Sequence, residues 1–528
     1  MARKFYFAGL ALVAIGLPVS VFLMSFGQLV LLATFLFDGE LKVKLKRFYA
    51  NKPAVIAASV LVLHMLGMIY THDLGSGFSD IRIKVPLLIL PVFIAGSQPI
   101  SSWFFHRLMG IFIAAVTLGT LICIGVYAGL VPTRHVVNDI RDISIFISHI
   151  RFSMMIALAV LLTGYYFYSQ SAVLMRLGFL LLICWLLYFL FVLNSLTGIV
   201  LLLCTVVFLL VYGIFSIRRK PLKAILISGL LLLLAGLGVY GRSLFSEVVL
   251  SPLHGGVLNV GTKTAMGNEY TNDSVSTSSE NGYAVWMYVC DKELESAWNK
   301  RSHLAYYGYN KKGDLLRFTV IRYLSSKGLP KDAAAVNSLS DPEIKWIEDG
   351  IANVNYEGRL RLSVRILETV WEFRNYLKGN DPNGHSVIMR IEFWRAAMGI
   401  VRSHPLLGVG TGDMKTAFQN QYVSMHSPLD ANHRLRSHNQ FLAIAVGFGS
   451  VGLLWFLFAL FYPPIRILKG FDYFYTVFFI IAFFSFFTED TLESQAGVTF
   501  FAFFNALFLF GRSRQESLKG DVPSASQE

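Results

Sequence analysis

The sequence predicts an all-α polytopic membrane protein with about twelve transmembrane helices and a large helical loop before the last three. Three observations carry this. Of the 528 residues, 55% are hydrophobic and only 15% charged, whereas a soluble chain carries about 25% charged residues. Apolar runs of membrane-spanning length recur along both ends of the chain. Between them, residues 242–436 form a polar stretch far too long for a connector.

Spanning a bilayer takes roughly 17–25 apolar residues. Runs of that kind, some short, fall at 5–20, 22–37, 53–71, 83–97, 107–129, 151–168, 176–193, 196–215, 222–241, 437–463, 472–488 and 495–511. The first two form a close pair broken between Pro18 and Ser25. Met1 to Lys4 followed by apolar residues resembles a signal peptide, but no A-x-A-like site follows, so the run reads as a retained anchor. The expected division is a membrane domain at 1–241 with nine spans, an outer helical cap at 242–436, a membrane domain at 437–511 with three, and a polar, disordered tail at 512–528. An even span count places both termini on one side.

The net charge of +13 suggests nucleic acid only until it is located. Cationic side chains favour the cytoplasmic loops. With cytoplasmic termini, 18 of the 46 Lys and Arg lie on that side, including Lys42, Lys44, Lys46, Arg47, Lys52 and Arg218 to Lys223. The short loops of the far side hold five: Arg82, Lys84, Arg134, Arg141 and Arg151. The remaining 23 lie in 242–436 beside 20 acidic residues. The excess charge is therefore a topology signal, membrane lipids are the surrounding partner, and no nucleic-acid partner is expected.

Within the outer segment, Ser251 to Glu280 is rich in Gly, Ser, Thr and Asn and reads as loop, and Tyr306 to Asn310 as a turn. Helical spacing appears at Lys292–Lys300, Asp314–Gly328, Asp341–Ile351 (Ser340 or Asp341 as N-cap), Leu360–Leu377 and Ile388–Val401. Cys123, Cys184, Cys204 and Cys290 show no paired spacing, so neither a disulfide framework nor a zinc site is indicated.

Charged side chains at a membrane edge are costly and mark function. Arg434-Leu435-Arg436-Ser437-His438-Asn439-Gln440 stands at such an edge. With Ser437 as N-cap, His438 falls in the first helical turn. There the helix dipole disfavours imidazolium, leaving a neutral general base. Asn439 adds an amide able to hold an acceptor. Arg390, Arg395, Arg402, Arg434, Arg436 and Arg151 lie at the same edge. A guanidinium fork suits diphosphate oxygens, and Arg390 opens a helix leading into a glycine-rich turn. Any single arginine there is equally a headgroup contact. In that turn Gly408 and Gly410 let backbone N–H groups approach an anion, though no strand precedes it as a dinucleotide fold requires. No D-x-D pair or His/Cys cluster is evident, so no metal and no cofactor is expected.

Arg390-x-x-x-Trp394, His404-Pro405-Leu406-x-Gly408-x-Gly410, and Ser437-His438-Asn439 followed by Gly447, Gly449 and Gly452 together resemble the O-antigen ligase and polymerase superfamily. Asp490 to Gly497 and Ser148 to Ser153 resemble a Gram-negative subgroup. The resemblance implies a GT-C-type, metal-independent, inverting glycosyltransferase of the bacterial inner membrane. Its donor would be a glycan on undecaprenyl diphosphate at the periplasmic face. Its acceptor would be a hydroxyl of lipid A-core or another glycan. By this likeness His438 matches the essential histidine and Arg390 the arginine of the outer loop. A second arginine expected near the eighth span is missing, because Ser195-Leu196-Thr197-Gly198 stands there. Either Arg151 or an arginine near Arg434 substitutes, or the donor is held differently. A polymerase or a protein O-oligosaccharyltransferase of the same superfamily is the near alternative. A polysaccharide or lipid transporter is the distant one and would require broken, symmetric helices and mid-membrane charge.

Overall fold

The computed structural model describes residues 2–133, 140–249, 261–273, 276, 278–358 and 361–512. Arg134, the start of the expected loop at 251–260, Leu360 at the start of an expected helix, and all of the tail after Arg512 lie outside these residues.

The first half is a chain of apolar helices. They are α1 (Ala2–Val19), α2 (Val21–Phe37), α3 (Leu41–Ala50), α4 (Lys52–Gly67), α5 (Leu74–Lys84), α6 (Pro86–Gly96), α7 (Ser102–Tyr127), α8 (His149–Ser169), α9 (Val173–Val192), α10 (Leu196–Ser216) and α11 (Lys220–Val249). Short polar residues open many of them. Ser20, Asn51, Asp73, Ser101 and Ser195 each accept a hydrogen bond from a backbone N–H of the first turn, meeting donors that the helix leaves unpaired.

The long polar segment contains α12 (Asp291–Arg301), α13 (Leu316–Ser326), α14 (Ala333–Asn337), α15 (Asp341–Glu348), α16 (Arg361–Leu377), α17 (Ser386–Ser403) and α18 (Met414–Ser424). Ser340 and Glu343 form a capping box at α15. Trp298, Tyr306 and Tyr323 centre a separate apolar core under α12, α13 and α15. A short hairpin, β1 (Ser279–Glu280) and β2 (Tyr283–Ala284), turns through Asn281 and Gly282, both at positive φ; it falls partly where only loop was expected.

The chain returns through α19 (Gln440–Ile467), α20 (Tyr473–Thr488) and α21 (Gln495–Ala506), which ends in a π-turn over Leu507–Gly511. Much of the phenylalanine content is spent here. Phe478 of α20 packs on Phe500, Phe501, Phe504 and Phe508, ring centroids 5.8–6.1 Å apart.

Among the described residues, seven helices are long and apolar enough to cross a membrane, and an eighth if α2 and α3, bent by 108°, form one span. The expected twelve includes elements shorter than a span. Helix α6 has 11 residues and holds Pro91, and α20 has 16.

Helix α19 is interrupted. Gly449 has φ 63°, and a Cβ there would stand 2.2 Å from the carbonyl carbon of Leu406. The loop after α17 fills the break. Val409 and Gly410 N–H donate to Val446 and Gly447 carbonyls, both at 2.9 Å, while Ser450 N–H donates to Pro405 O at 2.8 Å. Thr411 Oγ1 extends the joint to His64 O of α4 at 2.6 Å. Unpaired backbone groups are not tolerated in lipid, and here protein supplies the partners.

Candidate functional site

Four segments meet at the start of α19. Asn439, not Ser437, is the N-cap: its side chain accepts from Leu442 N–H. His438 therefore precedes the helix, at φ 45°, and the expected first-turn placement is corrected. A cap needs extended backbone and a short acceptor, and Asn439 supplies both. Trp394 Nε1 of α17 donates to Ser437 O at 3.0 Å. Asn439 Nδ2 donates to Phe487 O at 3.1 Å, and Gln440 accepts from Leu492 N–H at 2.7 Å. These bonds stitch the His438 turn to the segment between α20 and α21.

That segment contributes Glu489 and Asp490, both buried. Glu489 is the meeting point. One oxygen accepts from Arg390 at 2.7 Å; the other lies 3.5 Å from His438 Nδ1 and 3.9 Å from Arg151. Asp490 lies 3.6 Å from Arg151 and 3.9 Å from His438 Nδ1. Phe393 lies against the imidazole, ring centroids 5.5 Å apart. His438, with its side chain 29% exposed, is the accessible member. Burial pushes the Glu489 carboxyl up, but the His438 hydrogen bond and the charges of His438, Arg390 and Arg151 more than offset it, leaving it below the ordinary range. For Asp490 burial prevails and the carboxyl is raised.

A second ionic cluster adjoins. Glu493 accepts from Arg436 at 2.7 Å and from the fully buried Lys84 at 2.9 Å; Lys84 also donates to Asp80 at 2.6 Å. Burial acts to raise Glu493, but the Lys84 and Arg436 charges bring it down to about 2.

The sequence-derived candidates thus divide. His438, Arg390 and Arg151 converge on one carboxylate. Arg436 belongs to the adjoining cluster. Arg434 donates to Leu429 O at 2.9 Å and secures its own loop. Arg395 pairs with Glu392 of its own helix at 2.5 Å. Gly408 and Gly410 serve packing: the N–H groups expected to meet an anion already donate to His404 O, just past α17, at 3.2 Å and to Gly447 O at the break in α19 at 2.9 Å. Where an arginine was missing at Leu196, Ser195 Oγ donates to Ser153 Oγ of α8 at 2.9 Å. Arg151 lies two residues before Ser153, so the neighbouring helix brings a guanidinium to this region.

Glu489 and Asp490 were missed in the sequence, although acidic residues ending a phenylalanine-rich run carry the same edge signal as His438. His438, Glu489 and Asp490 also place possible metal-ligand atoms within 4.8 Å of one another. Arg390 and Arg151 supply two positive charges beside these two carboxylates. Both arginine Nε donors are buried without a partner among the described residues. Buried donors left unpaired are costly and call for an acceptor.

Residues 350–457 match the model of a family described as O-antigen ligase. The matched segment includes Arg390 and His438; Arg151, Glu489 and Asp490 lie outside it. A search of curated proteins finds no match.

Proposed function

From this O-antigen ligase domain, we propose that the protein transfers a glycan from undecaprenyl diphosphate to an acceptor hydroxyl, a sugar of lipid A-core, at the periplasmic face of the bacterial inner membrane. The observation that carries the reading is the convergence of His438, Arg390 and Arg151 on Glu489, with both arginine Nε donors lacking partners among the described residues. Diphosphate oxygens would satisfy those donors and neutralise the charge that grows on the leaving group. Glu489 holds the Nδ1 edge of His438, leaving Nε2 to take the acceptor proton. The acceptor oxygen then forms its bond to the anomeric carbon from the face opposite the diphosphate. The carbon–phosphate-oxygen bond breaks with its electron pair leaving on the diphosphate, and the anomeric configuration inverts.

His438→Ala and Arg390→Ala should each accumulate lipid-linked glycan and lose transferred product, with normal amounts of inserted protein. Loss of one positioned acid–base group costs roughly 10²–10⁴-fold. Normal transfer by both variants would sink the assignment. Because Arg151 and Arg390 already balance the carboxylates, transfer by the purified protein should persist in EDTA; loss restored by a divalent cation would reassign His438, Glu489 and Asp490 as metal ligands. Surface glycans of a deletion strain separate the acceptors. Bare core marks a ligase, core with one repeat a polymerase, and intact lipopolysaccharide a protein glycosylase.

A further inference from the structure

An apolar groove of about 540 Å³ runs along one face of α7, walled by α8 and α9. From His106 through Gly110 and Ile113 to Leu121 it covers ~22 Å at the helical rise, more than half the ~30 Å hydrocarbon core. Its polar end is far from the candidate site. Arg151 is near the start of α8, whereas Tyr166, which meets His106 Nδ1 at 3.0 Å, is near its other end. At that same end Arg176 lies in the first turn of α9, one turn before the groove-lining Phe179, with its guanidinium 5.1 Å from the ring centre of Phe167. A cation and a helix N-terminus both favour an anion. The rest of the lining offers hydrocarbon.

We propose that this groove holds one acyl chain of a glycerophospholipid, with the phosphate at Arg176 and the start of α9. The pattern fits that class: Arg176, three residues before the groove-lining Phe179, and Arg107, beside the groove-lining His106, stand at one end of a long apolar trough. A polyprenyl carrier serving transfer would instead place its diphosphate beside Arg390 and Arg151, at the other ends of these helices. Gly110 provides the test, because a Cβ there meets open space and a larger side chain enters the groove rather than the bundle.

The full-length protein in detergent, titrated with palmitoyl-oleoyl phosphatidylglycerol and observed by native mass spectrometry, should retain one tightly bound lipid. Gly110→Phe should lose it. Arg176→Glu should bind it about tenfold more weakly, the scale of one charge-assisted hydrogen bond. Both variants should melt at the wild-type temperature in lipid-free detergent. Wild-type retention by Arg176→Glu overturns the proposal, and that variant decides alone if Gly110→Phe misfolds. Preferential retention of undecaprenyl phosphate, or a dimer that Gly110→Phe dissociates, overturns it in favour of the carrier or a second copy of the chain.

Discussion

A histidine beside a carboxylate behaves differently from one at a helix start, and Glu489 makes that difference here. It accepts from Arg390 and faces His438 Nδ1, so it orients the ring without needing to touch substrate. Glu489→Gln should lower kcat by about 10²-fold with KM little changed, measured with purified donor and acceptor; an equal rise in KM would assign the residue to binding. The carboxyl is held below the ordinary value of 4.5. Its contribution to stability is therefore complete above that value and is lost as pH falls through the depressed folded value. Melting temperatures of wild type and Glu489→Gln should differ at neutral pH and converge in acid. The sequence made His438 and Arg390 visible because cations at a membrane edge are conspicuous. It hid their convergence, because Glu489 comes from a connection placed beside them only by packing.

At the scale of elements, the helices were legible where one physical signal dominates. The apolar run at 107–129 became Ser102–Tyr127, and that at 151–168 became His149–Ser169. The Asn281-Gly282 turn was also written in the chain, since both residues tolerate positive φ, but the polar composition around it masked it. The break in α19 had no such signal: its apolar run is continuous, and only the docked loop explains why Gly408, Gly410 and Gly449 are needed. Gly449→Ala adds both a strained φ and a backbone collision. It should cost at least ~2 kcal/mol or prevent accumulation of folded protein. Gly229→Ala, on the open surface of α11, should be neutral or stabilise by up to ~1 kcal/mol. Size-exclusion profiles and melting curves of the two variants test the contrast.

For the whole molecule, the charge distribution predicts which loops share a side of the membrane. Alkaline phosphatase fused after residue 358 should be active, and fused after Arg218 inactive; the reverse pattern would invert the expected orientation and move the His438 edge to the cytoplasm. The long polar segment has its own apolar core and touches the apolar helices where Tyr240 of α11 bonds Ser363 of α16 at 3.0 Å. The joint between α17 and α19 also sets an order of assembly. The segment that completes α19 emerges from the ribosome before that helix exists, on the side of the polar loop. In the folded protein four backbone groups around the break, the Val446 and Gly447 carbonyls and the Ser450 and Val451 N–H groups, all find their partners in residues 405–410, so α19 takes this form only once the earlier segment has folded back onto it. Helix α19 is thus completed by chain that precedes it in the sequence, not by its own hydrogen bonds alone.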